Sequence, residues 1–167
     1  MENKVYDYGC VMLKLPVLAN VWDEIQSFVN NEDIYNKDDL GRENDPHITL
    51  LYGIHSDVSD ETIIKTINEF NKEQIILNEL ECFENDEYDV LIFKITNNKN
   101  LYLYNNILKQ LPHTSSYPDY KPHCTISYLK KGTAKKYTGK LDVIYRVKSN
   151  IVSYSKPNGE KHYYKIG

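Results

Sequence analysis

The sequence predicts an α+β fold built on a mainly antiparallel sheet. Three observations carry that expectation. The chain has 167 residues, about one domain's worth, with no stretch of linker character. Its apolar residues switch between a period of two and a period of 3.6 along the chain. Its β-rich runs at 74–83 and 88–95, and at 141–154 and 162–166, follow one another across short turns, as hairpins do.

Taken in order, Tyr8–Leu15 reads as a strand stopped by Pro16. Positions 18, 21, 22, 25, 28 and 29 are apolar, the stripe of an amphipathic helix over Val17–Asn30. The polar stretch 31–45 reads as a long surface loop, and Pro46–Gly53 as a strand. Ser59 or Asp60 caps a helix through Lys72, with Ile63, Ile64, Ile67 and Phe70 on its apolar face. Gln74–Phe83 and Tyr88–Ile95 form the first hairpin around ENDE. Asn100–Leu111 is a helix ended by Pro112, and 113–121 is a second polar loop. Pro122–Leu129, Leu141–Tyr154 and His162–Ile166 are the closing strands, the last two joined by PNGE.

Composition excludes several classes. Hydrophobic residues make up 41% of the chain, and no apolar run approaches the ~18 residues of a membrane span. MENKVYDYGC carries Glu2 and Asp7 where a signal peptide has an apolar stretch. Cys10, Cys82 and Cys124 are odd in number and far apart, so neither a disulfide framework nor a metal knuckle is expected. A reducing cytoplasm is the expected compartment, with no membrane partner. The formal charge of −4 conceals a division. Residues 1–90 hold 21 acids and 6 bases, net −15; residues 91–167 hold 3 acids and 14 bases, net +11. That asymmetry leads us to expect an anionic partner at the basic end.

The most specific signal is a repeat. Pro46-His47-Ile48-Thr49-Leu50-Leu51-Tyr52 and Pro122-His123-Cys124-Thr125-Ile126-Ser127-Tyr128 share the pattern P-H-x-T-[LI]-x-Y, 76 residues apart. Each copy follows a helix and a polar loop. Strand alternation places His47 with Thr49 on one face, and His123 with Thr125 and Ser127 on the other strand's corresponding face. The same rule sends Tyr52 and Tyr128 to the core. Two such strands about an approximate twofold set two imidazoles and two hydroxyls around one concavity. This suits a phosphodiester: hydroxyls and amides hold the non-bridging oxygens, while one imidazole takes a proton and the other gives one. Thr is not a usual zinc ligand and no HxH or HExxH occurs, so neither metal nor other cofactor is expected.

The paired PHxT strands resemble the HxT/S signatures of the two-histidine (2H) phosphoesterase superfamily, which includes the RNA ligase/cyclic phosphodiesterase proteins. The resemblance covers nearly the whole chain, the ELECF strand included, as a single domain over residues 1–167. It implies a bilobal, pseudo-twofold α+β fold with helices outside and the cleft between lobes. It also implies His47 and His123 as the acid/base pair and Thr49 and Thr125 as phosphate binders. The activities it implies are cleavage of 2′,3′-cyclic phosphates, 2′-5′ linkages, and 3′-5′ linkages beside a free 2′-OH. Small phage members that destroy the cyclic oligonucleotide signals of bacterial CBASS immunity are similar in size. A non-catalytic nucleotide-binding sponge is the alternative from another class.

Further substrate contacts are expected from the loops 31–45 and 112–121, which should rim the cleft. The candidates are Tyr117 and Tyr120 for stacking on a base, Lys121 and Ser127 as further substrate contacts, and Arg42 as a phosphate clamp. Lys130, with Lys131, Lys135 and Lys136 after the second motif, is a further candidate for attracting phosphate. His55 and His162 lack duplicated surroundings and are expected at the surface. The expected partner is a nucleotide, a cyclic oligonucleotide or an RNA end. A long duplex would require a broader basic surface.

Overall fold

The structure, a computed structural model, describes residues 7–115 and 119–167. Its strands are β1 (Gly9–Lys14), β2 (His47–Ile54), β3 (Glu73–Glu84), β4 (Tyr88–Lys94), β5 (His123–Lys130), β6 (Gly139–Ser149), β7 (Ile151–Ser155) and β8 (Lys161–Lys165). They form one sheet in the order β6-β3-β4-β5-β2-β1-β7-β8. Every neighbouring pair is antiparallel. The two motif strands lie at its centre, and the order is matched outward from them: β4 and β1, then β3 and β7, then β6 and β8.

The run expected as one strand over 141–154 is two. β6 ends at Ser149 on one edge of the sheet, and β7 begins at Ile151 beside β1. Since Asn150 alone joins strands that are far apart in the sheet, the sheet must curl until they meet. The Ser149 hydroxyl donates to the Lys14 carbonyl at that corner, and the Ile166 amide to Asn150 O at 2.8 Å. Periodicity reads only what a strand buries, and both pieces bury apolar residues: Tyr145 and Val147, then Val152 and Tyr154.

The first expected helix is also divided. A 3-10 turn over Pro16–Asn20 leads into the short α1 (Trp22–Gln26), with Val21 at φ −119°, ψ 1° between them. The apolar stripe survives the division, because Leu18, Trp22, Ile25 and Val29 are all buried. In α2 (Asp60–Ile67) the Ser59 hydroxyl accepts from the Thr62 amide at 3.2 Å, and Asp60 and Glu61 favour the positive end of the helix dipole. The chain turns after Ile67, short of the expected Lys72. That turn lets Phe70 stack on Tyr104 of α3 (Lys99–Leu108) at 4.3 Å between ring centroids.

Each polar loop pairs with the motif strand of the other half. Residues 34–43 run along β5, with Tyr35 N to Tyr128 O at 2.9 Å, Tyr128 N to Gly41 O at 2.8 Å and Glu43 N to Ile126 O at 3.0 Å. After α3, Thr114 N donates to Gly53 O at 2.8 Å and His55 N to Pro112 O at 3.0 Å. Gly53 has φ +122°, and a Cβ there would sit 2.0 Å from Thr114 O, so only glycine fits.

Candidate active site

The motif strands meet at one bridge, Ile48 opposite Cys124. In an antiparallel pair this sets His47 beside Thr125 and Thr49 beside His123 on one face. Ile48 and Cys124 are buried beneath them. The two imidazoles are then diagonal neighbours, about 7–8 Å apart at the backbone. Thr49, His123 and Thr125 line a cleft of about 620 Å³. His47 shares their face by register but is not part of the cavity wall.

Both histidines are held in the same way. His47 Nδ1 lies 2.7 Å from Asp45 O, and His123 Nδ1 lies 2.7 Å from Lys121 O. A carbonyl only accepts, so each Nδ1 carries its proton and each Nε2 is left for chemistry. Burial in the cleft pushes the His123 pKa below the ordinary histidine value, the Lys121 carbonyl opposes this, and the nearby charge of His47 adds to the lowering. The Phe83 ring stands edge-on to His123 at 4.8 Å, on one side of the imidazole. Lysines face both histidines across the ladder. Lys14 lies opposite His47 and pairs with Asp45; Lys94 lies opposite His123, with Glu81 at 3.4 Å and Glu79 at 3.6 Å.

Each motif strand bulges immediately after its threonine. Met12 pairs with Thr49 and Val11 with Leu51, so Leu50 is the extra residue in β2. Ile92 pairs with Thr125 and Leu91 with Ser127, so Ile126 is the extra residue in β5. A bulge advances the alternation by one, and this overturns three expectations. Tyr52 and Tyr128 turn into the cleft rather than the core, and Tyr52 is 45% exposed. Ser127 turns inward, fully buried, and donates to Gly41 O at 3.4 Å, so it does not stand beside His123.

Other expected contacts separate as clearly. Tyr120 and Lys121 line the cleft, and the Tyr120 hydroxyl donates to Thr49 O at 2.8 Å. Tyr117 lies outside the described residues. Arg42, expected as a phosphate clamp, lies outside the cleft wall. Its guanidinium is used up at the end of α1, on Gln26 O at 2.6 Å, Val29 O at 2.9 Å, Gln26 Oε1 at 3.1 Å and Asn31 Oδ1 at 2.7 Å. Loop 31–45 contributes nothing to the cleft wall, because its pairing with β5 carries it away. Lys130 ends β5 at the surface, outside the cleft. Lys131, Lys135 and Lys136 pair with Asp89 at 3.8 Å, Glu84 at 3.6 Å and Asp33 at 2.7 Å. Among the described residues no three His, Cys, Asp or Glu side chains converge as a metal site would need.

Sequence reasoning missed Phe83, Tyr88, Asn105 and Lys109, all in the cleft wall. It also sent the two motif tyrosines to the wrong side. The signal for those two was present, since Tyr recurs five residues after His in both copies.

A sheet with two facing His-x-Thr strands at its centre defines a 2H phosphoesterase fold, a class whose members are in general phosphodiesterases. The sequence profile of the 2′-5′ RNA ligase superfamily matches residues 16–148, and the chain belongs to that superfamily. The fold is similar to that of Kluyveromyces marxianus Usb1, with TM-score 0.63 at 11% identity, covering 96% of this chain and 98% of that one. It is also similar to Escherichia coli LigT, solved with 3′-AMP, with TM-score 0.59 at 14% identity, covering 96% of this chain and 95% of that one. Comparison with curated proteins gives no match. No helix among the described residues is long and apolar enough to cross a membrane.

Proposed function

We propose that the protein is a metal-independent phosphodiesterase that cleaves 3′-5′ linkages beside a free 2′-OH in small nucleotides. Cyclic di- and oligonucleotide immune signals, as destroyed by phage anti-CBASS enzymes, are the leading substrates. The observation that supports this reading is the pair of His-x-Thr units facing one another with both Nδ1 atoms tied to backbone carbonyls. A cleft of about 620 Å³ falls in the size range of small-ligand sites.

In this reading His123 is the general base, because its burial favours the neutral imidazole. Its Nε2 takes the proton of the 2′-OH as the 2′-oxygen attacks phosphorus. The P–O5′ bond breaks, and protonated His47 gives its Nε2 proton to the departing 5′-oxygen. The products are a 2′,3′-cyclic phosphate and a free 5′-OH. Thr49 and Thr125 hold the non-bridging oxygens. Water can then open the cyclic phosphate with the two histidines in exchanged roles.

The test is incubation with EDTA and a panel of cyclic dinucleotides, 2′-5′ oligoadenylates and 2′,3′-cyclic nucleotides, read by mass spectrometry. The expected product is a 2′,3′-cyclic phosphate or its opened monoester. His47→Ala and His123→Ala should each lower kcat by about 10²–10⁴. Turnover that survives both substitutions, or that requires a divalent ion, overturns the mechanism.

A further inference from the structure

Leu50 and Ile126 occupy corresponding places, each three residues after a motif histidine, and each is the extra residue of a bulge. A bulge leaves backbone groups outside the ladder, and a buried carbonyl needs a donor. Both carbonyls receive the same kind of donor. Asn105 Nδ2 of α3 donates to Leu50 O at 2.6 Å, and Gln26 Nε2 of α1 donates to Ile126 O at 2.8 Å, where the Glu43 amide donates as well at 3.0 Å. The helix that precedes β5 thus clamps β2, and the helix that precedes β2 clamps β5. Asn105 is buried within its helix, where an amide side chain is costly unless it is bonded.

What the clamps hold has a direct consequence for the cleft. From the Ile48–Cys124 bridge, Tyr52 lies four residues along β2 in one direction, and Tyr128 four residues along β5 in the other. Only the bulges turn these tyrosines onto the histidine face. Each is then braced by a second ring: Tyr8 against Tyr52 at 6.0 Å, and Tyr88 against Tyr128 at 5.5 Å. The cleft therefore carries an aromatic residue on each side of the His/Thr quartet.

We propose that Asn105 and Gln26 are paired positioning residues which, through the bulge carbonyls, set Tyr52 and Tyr128 to stack the two bases that flank the scissile phosphate. The preferred substrate is accordingly a diester with a base on both sides. This rests on the phosphodiesterase reading for its chemistry, but its test does not depend on turnover. The probe is the 2′-deoxy dinucleotide d(ApA), which lacks the nucleophilic hydroxyl, with affinity measured by titration calorimetry.

Wild type should bind d(ApA) more tightly than 3′-AMP. Asn105→Ser and Gln26→Met should each weaken d(ApA) binding about five- to tenfold. Tyr52→Ala should weaken it comparably, and Asn105→Ser combined with Tyr52→Ala should be no weaker than Tyr52→Ala alone. Gln26→Met with Tyr128→Ala should behave in the same way. Gln26 is only partly buried, so its variant carries the test if Asn105→Ser does not fold. Unchanged affinity in the clamp variants, additive losses in the double variants, or equal wild-type affinity for d(ApA) and 3′-AMP overturns the proposal. If the variants behave as expected while wild type leaves ApA uncleaved, the clamps stand and the phosphodiesterase reading falls.

Discussion

The tautomer of each motif histidine is set by a bond to the carbonyl two residues back, not by a carboxylate. A carboxylate partner would raise an imidazole pKa; a neutral carbonyl does so less, and at His123 burial wins. The sign for activity follows directly. A base with a lowered pKa keeps its neutral form to lower pH, so the acid limb of kcat/KM should fall below the ordinary histidine value of about 6.5. Phe83→Ala opens the edge of the ring to water and should move that limb upward, toward 6.5, in a pH–rate profile. The sign for stability is parallel. The folded state disfavours His123 protonation, so its contribution is present above about pH 6.5 and is lost as pH falls through the lowered value. A chemical-denaturation series across that range reads this separately from activity.

At the scale of elements, the motif strands were legible because each alternates polar and buried residues over its first four positions. Their second halves were not, since a bulge is invisible to a rule that counts by two. The same limit explains Ser127, whose side chain lies on the face opposite to the expected one. Pairing of the loops with the motif strands was equally hidden, because it relies on backbone groups that every sequence carries. Gly53 tests that pairing. Gly53→Ala must adopt a backbone conformation costing about 1–3 kcal/mol, and the methyl also meets the Thr114 carbonyl. The expected result is a lower denaturation midpoint together with faster amide exchange over residues 112–115.

Across the whole molecule, folding brings part of the basic half of the sequence onto the acidic half. Lys94 from the basic half meets Glu79 and Glu81, Lys131 meets Asp89, Lys135 meets Glu84, Lys136 meets Asp33 and Lys156 meets Asp60. Asp89 does more than pair: its buried Oδ2 accepts from the Gly132 amide at 2.9 Å and the Ala134 amide at 3.1 Å, which fixes the turn after β5. In the cleft, Lys109 and Lys121 are accompanied by Glu84 and Asp119. With so few cationic contacts to substrate, kcat/KM on a dinucleotide should fall less than about tenfold between about 50 and 200 mM salt. A protein making six to ten phosphate contacts would lose roughly 10³–10⁵ in affinity over that range. A steady-state salt series distinguishes the two.

The class of fold and the placing of the His47, Thr49, His123 and Thr125 quartet were both legible in the sequence. Both are written in short-range patterns: the order of periods along the chain, and a duplicated His-x-Thr whose spacing puts both side chains on one strand face. The superfamily match and the fold agree with that reading at the level of class. Which other residues face the cleft came only with the tertiary structure. It spent Arg42 on helix carbonyls, returned the late lysines to the acidic half, and brought Tyr52 and Tyr128 to the cleft by way of bulges that helices from opposite halves hold in place. Those outcomes depend on partners from 13 to more than 100 residues away, and local period and composition carry no information about such pairs.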